Sequence, residues 1–169
     1  MEIVIRKGTL EDTEPFIILL REVRLGMAHT EWFYLDEPEE IRQMMAAGVM
    51  EFWVAMDGNR IAAAFDILTP GPASFNYGYD LELEESDLLR VVNMDMVAVR
   101  QGYRGMGLQK QLMQAAEKEI AQGGSRILLC TVHPDNHFSL NNILSQGYSI
   151  ARKLPMYGSV RYILRKDLL

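Results

Sequence analysis

The stretch VRQGYRGMGLQKQLM, Val99 to Met113, constrains this chain more than any other. It places three glycines, Gly102, Gly105 and Gly107, within six residues, between an apolar run and a segment of helical periodicity. The run before it, Val91 to Val99, is interrupted only by Asn93 and Asp95 and reads as a buried strand. The segment after it predicts a helix from about Met106 to Ala121. Leu108, Leu112, Ala115, Ala116 and Ile120 share one face, Lys110, Glu117 and Lys118 lie away from it, and Gly123-Gly124 ends it. Ile127 to Val132 is a second buried strand, and a strand reached through a helix is most economically parallel to the first. The unit is β-α-β, with its glycine turn at the carboxyl end of a strand.

The remaining elements extend this α/β core. Ile3 and Ile5 alternate with charged neighbours as a first strand does. Thr13 is expected to cap a helix running to about Gly26, and a second helix follows the acidic start Asp36 to Glu40 and stops at Gly48. Phe52 to Met56 and Ile61 to Leu68 read as a hairpin around Asp57-Gly58-Asn59. Thr69 to Asp80 is expected to be a loop whose aromatics, Phe75, Tyr77 and Tyr79, either line a pocket or pack the loop down. A short helix at LEESDLLR, another ending at Gly147, and strands Tyr148 to Lys153 and Val160 to Arg165 complete the order. Residues 1–169 read as a single domain, with no repeat, linker or low-complexity run to divide them.

Composition removes several functions. No apolar run approaches the ~20 residues of a membrane helix, and the early charges of MEIVIRKGTLED do not suit a signal peptide. The lone cysteine, Cys130, forms no internal disulfide, which fits a cytoplasmic location, and it sits in an apolar strand as a core residue does. With 17 basic and 23 acidic residues, net −6, and no basic stripe, the chain reads as binding neither nucleic acid nor membrane.

Glycines at a helix start let an anion approach the first-turn N–H groups, where the helix dipole also favours it. Hydrogen bonds to a charged group are worth roughly 1.5–3 kcal/mol each, so three or four hold a pyrophosphate without a dedicated lysine. A P-loop requires Gly-Lys-Ser/Thr, but Leu108 and Gln109 follow Gly107. A dinucleotide fingerprint requires a third glycine where Lys110 stands. A plain tight turn between strand and helix remains an alternative.

Val97-Ala98-Val99 followed by Tyr103-Arg104-Gly105-Met106-Gly107-Leu108 resembles motif A of the GNAT superfamily of acyl-CoA-dependent N-acetyltransferases. Arg104 and Gly107 match the family pattern, while Gln109 stands where it has glycine or alanine. HPDNHFSLNNILSQGY resembles motif B through Asn136, Ser139 and the pair Gly147-Tyr148. The resemblance implies a mixed sheet of about six to seven strands flanked by helices, with splayed parallel central strands. It implies acetyl-CoA as cosubstrate. N–H groups of Arg104, Gly105, Met106, Gly107, Leu108 and Gln109 would take the pyrophosphate. Peptide groups of Val97, Ala98 and Val99 would bind the pantetheine arm like another strand, with Asn136 and Ser139 on its far side.

Transfer to an amine needs a free lone pair, yet an alkylammonium of pKa ~10.4 is only about 0.04% neutral at pH 7. Asp95, on the central strand, is the expected base, directly or through water that Asn93 could orient. The resemblance places a tyrosine acid where this chain has Ile143. Tyr157, in the last hairpin, is a candidate donor beside Tyr148 and Ser139, and departure of the thiolate without any acid is the alternative; packing of that hairpin is the other reading of Tyr157. His29, Glu31 and Trp32 stand where the acceptor wall often forms, although Trp32-Phe33-Tyr34 reads rather as core. His133 and His137 lack partners at metal-ligand spacing, so no metal is expected. The chain reads as an acetyl-CoA-dependent N-acetyltransferase acting by direct attack in a ternary complex. The expected acceptor is a small-molecule or peptide amine, and the chain a monomer or homodimer. The alternative is an acyl-CoA-binding sensor without turnover.

Overall fold

The computed structural model describes residues 1–169. Seven strands form one mixed sheet: β1 (Ile3–Lys7), β2 (Met50–Asp57), β3 (Arg60–Leu68), β4 (Val91–Val99), β5 (Arg126–Val132), β6 (Ser149–Met156) and β7 (Ser159–Leu168). Their order is β1-β2-β3-β4-β5-β7-β6. The helices are α1 (Thr13–Leu25), α2 (Pro38–Ala46), α3 (Glu85–Leu88), α4 (Leu108–Gln122) and α5 (His137–Ser145). By contact density the chain forms two compact units, Met1–Ile67 with Met96–Lys118 and Leu68–Asp95 with Glu119–Leu169.

In the first unit β1 pairs antiparallel with β2 from Ile3–Asp57 to Lys7–Trp53. The β2–β3 hairpin turns at Gly58, whose positive φ is the reason Asp57-Gly58-Asn59 is legible as a turn. Phe16, Leu19 and Leu20 put the apolar stripe of α1 in the core, and Phe16 stacks on Phe52 at 4.6 Å between ring centroids. Asp12, rather than Thr13, is the residue before the first turn of α1; Thr13 is already helical and buried. The helix is entered through a 3₁₀ turn, Leu10–Asp12, held by the Asp12 carboxylate, which accepts the Thr9 N–H at 2.8 Å.

In the second unit β4 and β5 are parallel, as the β-α-β reading requires, and their ladder runs from Val91–Ile127 to Asn93–Leu129. β7 lies antiparallel against β5 from Arg126–Leu168 to Val132–Tyr162, and β6 pairs with β7 with a register shift between Ile150 and Arg152. Tyr77, Val91, Ile127, Leu129 and Ile163 form one apolar cluster of this unit, with Leu81, Leu83, Leu154 and Met156 packed against it.

The expected loop Thr69 to Asp80 contains a 3₁₀ helix from Tyr77 to Leu81. Asn76 supplies the order that periodicity could not reveal. Its buried amide donates to the carbonyls of Gly71 (2.9 Å) and Leu88 (3.0 Å), and its oxygen accepts the Gly78 N–H at 2.7 Å. Only Tyr77 of the three aromatics turns into the core; Phe75 and Tyr79 remain exposed. The expectation that Trp32-Phe33-Tyr34 forms core is corrected: Trp32 and Phe33 are half-buried and Tyr34 is exposed.

Candidate functional site

The glycine turn lies in the first unit. After β4 a 3₁₀ turn, Gln101–Tyr103, precedes Gly105 and Gly107, which take φ of 82° and 71°. Such values are costly for any residue with a side chain, so the turn needs glycine for its conformation. It also leaves room: a Cβ at Gly105 would meet nothing within 4 Å, and one at Gly107 only Gln111 Nε2 at 3.8 Å. The Gly107 carbonyl accepts the Gln111 N–H at 3.1 Å, so Gly107 caps α4, which starts at Leu108 rather than Met106. The N–H groups of Leu108, Gln109 and Lys110 consequently point out of the helix end. The Gln109 side chain is buried, which explains how the helix carries glutamine at this position. The Arg104 N–H instead turns back to the Gln101 carbonyl at 3.4 Å, leaving the side chain of Arg104 on the surface.

The loop itself is fastened. Arg100 donates through Nε to the Ile61 carbonyl at 2.7 Å and pairs with Glu22, and the Tyr103 hydroxyl donates to Asp57 at 2.6 Å. That bond to the Asp57 carboxylate raises the pKa of Tyr103 above the ordinary phenol value. Upstream of the turn, Ala98 is buried while Val97 and Val99 are half-buried.

The chemical cluster lies in the second unit, where β4, β5, β7 and the 3₁₀ helix each contribute a side chain. Asp95 ends this unit's share of β4. Tyr77 is buried, with its hydroxyl 2.8 Å from that of Tyr157. Burial first, and the charge of Asp95 second, push the Tyr77 pKa well above the ordinary phenol value, so this hydroxyl keeps its proton. Arg161 is buried on β7 and donates through Nε to Thr131 Oγ1 at 3.0 Å, while its guanidinium carbon lies 5.7 Å from the centre of the Tyr157 ring. Burial lowers the Arg161 pKa, and Tyr77, Tyr157 and Asp95 act against that.

Tyr157 and Gly158 form the two-residue turn between β6 and β7, with φ of 55° and 74°. A type I′ turn requires positive φ at both central residues and favours Asn-Gly or Asp-Gly. A tyrosine there costs of order 1 kcal/mol. Tyr157 is 41% exposed as a residue, while its hydroxyl reaches that of the buried Tyr77.

The remaining residues singled out in the sequence make contacts of their own. Asn93 ties the Tyr77 loop to β4: its oxygen accepts the Tyr77 N–H at 3.3 Å and its amide donates to the Phe75 carbonyl at 3.0 Å. Asn136 caps α5, its oxygen accepting the Ser139 N–H at 3.4 Å. Ile143 and Tyr148 are buried, and Cys130 is a buried strand residue. His29 stacks on Trp32 with ring centroids 4.3 Å apart and sits 3.3 Å from Glu31. No group of three His, Cys, Asp or Glu side chains capable of holding a metal is present.

Residues 19–148 match the Acetyltransferase (GNAT) family. The chain belongs to this family. The match runs from α1 to the end of motif B and includes the glycine turn, Asp95 and Asn136. The GNAT fold is confirmed by solved structures. An N-acetyltransferase from Staphylococcus aureus Mu50 superposes with a TM-score of 0.75 at 15% identity, covering 100% of both chains. The yncA protein of Salmonella typhimurium, solved with its cofactor acetyl-CoA, gives 0.74 at 14% identity, over 99% of this chain and 95% of that one. Arabidopsis thaliana NAA60 in complex with acetyl-CoA gives 0.74 at 16% identity, over 99% of both. No curated protein matches the sequence. Arg161 and Thr131 escape sequence reading of this GNAT chain because each is a single polar residue in an apolar strand, whereas Tyr77 was one of three loop aromatics with two open uses. Arg161 carries the one usable signal, a charge two residues from the buried Ile163 on the same strand face.

Proposed function

We propose that this GNAT protein is an N-acetyltransferase that passes the acetyl group of acetyl-CoA directly to a primary amine in a ternary complex, within a single catalytic domain of residues 1–169. The observation that carries turnover, rather than binding alone, is the grouping of Asp95 with the Tyr77–Tyr157 hydroxyl pair: a base and a proton donor in one cluster.

The residues suit the cosubstrate. The space around Gly105 and Gly107 admits phosphate oxygens, and the N–H groups of Gly105, Met106, Gly107, Leu108 and Gln109 hold a pyrophosphate with the Arg104 side chain. Val97, Ala98 and Val99 hold the pantetheine arm through their peptide groups, and Asn136 and Ser139 support it. Bound acetyl-CoA supplies the thioester. Asp95 takes the proton of the acceptor ammonium, directly or through one water, freeing the nitrogen lone pair. The Val97 N–H stabilises the negative charge that grows on the carbonyl oxygen as the C–N bond forms. Tyr157 gives its proton to the sulfur as the C–S bond breaks, and the second proton of the attacking nitrogen, acidified as the amide forms, returns through water to the Tyr157 phenolate while Asp95 releases the first to solvent. The acceptor is a small-molecule or peptide amine, and the protein works in the cytoplasm as a monomer or homodimer.

Calorimetric titration with acetyl-CoA, with ATP and NADH as controls, followed by thiol release across an amine panel, tests this reading. Selective micromolar binding is expected, and Gly107→Glu, which brings bulk and negative charge to the turn, should abolish it. Binding that survives Gly107→Glu would remove the glycine turn from the cofactor site. Binding without thiol release on any amine would leave a sensor.

A further inference from the structure

The turn that leads from β5 into α5 takes up its own backbone donors. The His133 carbonyl accepts the Asn136 N–H at 2.9 Å, closing a β-turn with Pro134 at its second position, where the fixed φ of proline suits it. The Asp135 carbonyl accepts the His137 N–H at 2.9 Å, so Asn136 sits at the centre of a second, smaller turn. Its φ of −81° and ψ of 71° are those of an inverse γ-turn. A third donor, the Asp135 N–H, goes to a side chain: Nδ1 of His133 accepts it at 3.1 Å. A backbone N–H only donates, so Nδ1 holds a lone pair and the ring proton sits on Nε2. His133 is buried, so this acceptor is itself held in place at the end of the strand.

We infer that His133 is a positioning residue for the cosubstrate: through Nδ1 it fixes the turn that aims the Asn136 side-chain amide at a carbonyl of the pantetheine arm. The inference rests on the proposed contact between Asn136 and that arm. Asn136 Oδ1 is engaged as the cap of α5, accepting the Ser139 N–H at 3.4 Å. Nδ2 is therefore the end that meets a ligand, and a side-chain NH₂ recognises a carbonyl oxygen. The bond from Asp135 to His133 copies an Asx turn, in which a side-chain acceptor takes the N–H two residues on, with an imidazole nitrogen in place of the usual oxygen. Order built into the turn before binding is order that acetyl-CoA does not have to impose.

The test is calorimetric and needs no acceptor amine. His133→Leu, which offers no acceptor to the Asp135 N–H, should weaken acetyl-CoA binding about fivefold to tenfold, the equivalent of one hydrogen bond. The nucleotide half of coenzyme A, which carries the pyrophosphate without the arm, should bind His133→Leu and wild type within about twofold of each other, since one positioned contact on the arm is all that changes. His133→Asn, whose Oδ1 can take the same N–H, should restore acetyl-CoA binding. Asn136→Asp keeps the cap but turns the donor into an acceptor and should weaken acetyl-CoA by itself. Adding His133→Leu to Asn136→Asp should cost nothing further. Nitrogen NMR of the free protein at neutral pH should show Nδ1 of His133 without a proton, and a proton there overturns the inference. Equal weakening in His133→Leu and His133→Asn, or loss of the nucleotide half as well, makes His133 a residue of stability only and overturns it too. Wild-type affinity in His133→Leu beside a weak Asn136→Asp overturns the role of His133 and leaves the Asn136 contact in place. Wild-type affinity in Asn136→Asp removes Asn136 from the cofactor site and this inference with it.

Discussion

Asp95 stands among groups that all bear on its charge: Tyr77 and Arg161 feel it directly, and Tyr157 is joined to it through Tyr77. Asp95→Asn keeps the size of the side chain but turns one acceptor oxygen into a donor and removes the proposed base. The rate should fall by a factor on the order of 100 or more with the Kd for acetyl-CoA unchanged, as calorimetry beside steady-state kinetics would read. A protein that only senses acyl-CoA would lose nothing in either measurement. Asp95 and Tyr157 were reachable from the sequence only through the resemblance, Asp95 by its place on the central strand and Tyr157 as one hydroxyl candidate because Ile143 stands where the resemblance places a tyrosine acid. The partners that join them were not. Residues 131 and 161 meet only through the pairing of β5 with β7, and residues 77 and 157 only where a 3₁₀ turn meets the last hairpin turn, and single-residue chemistry carries no trace of such long-range contacts.

At the scale of elements, strand and helix periodicity survived well because burial enforces it, whereas ends depended on polar side chains with several possible uses. The entry to α1 illustrates this. Thr13 looks like a cap, but the Asp12 carboxylate takes both the Thr9 N–H and a two-pronged pair from Arg6 at 2.7 and 3.0 Å. The hydrogen bond from Arg6 is the main cause that holds the Asp12 pKa down at about 2. Because the folded value lies below the unfolded one, this support is complete above about pH 4 and disappears as the pH falls towards 2. Arg6, the partner of Asp12, has a side chain 40% exposed, and screening of this surface pair limits its share at neutral pH to below about 1 kcal/mol. Asp12→Asn should therefore lower Tm slightly at pH 7 and flatten the acid limb of a Tm-against-pH series. The 3₁₀ helix at Tyr77 was illegible for a related reason. Its order comes from one asparagine satisfying three backbone groups, an arrangement with no periodicity to detect.

For the whole molecule, the informative fact is how the chain distributes itself. β4 contributes Val91–Asp95 to one compact unit and Met96–Val99 to the other, and α4 passes from one to the other between Lys118 and Glu119. Neither unit is a contiguous stretch of sequence, so neither corresponds to a piece that can be cut out without severing a strand or a helix. The single-domain reading predicts one cooperative transition in calorimetry, with the van't Hoff enthalpy equal to the calorimetric one. Two resolved transitions would refute it.

The left-handed turn at Tyr157 carries a consequence for selection. Any screen for thermal resistance that ignores turnover will favour its replacement by asparagine, the residue a type I′ turn prefers. Tyr157→Asn should melt a few degrees higher, the equivalent of about 1 kcal/mol, and lose its acetyl-transfer rate in the same step. Under the role proposed for Tyr157, a lineage selected for heat resistance alone would drift towards an inert acyl-CoA carrier.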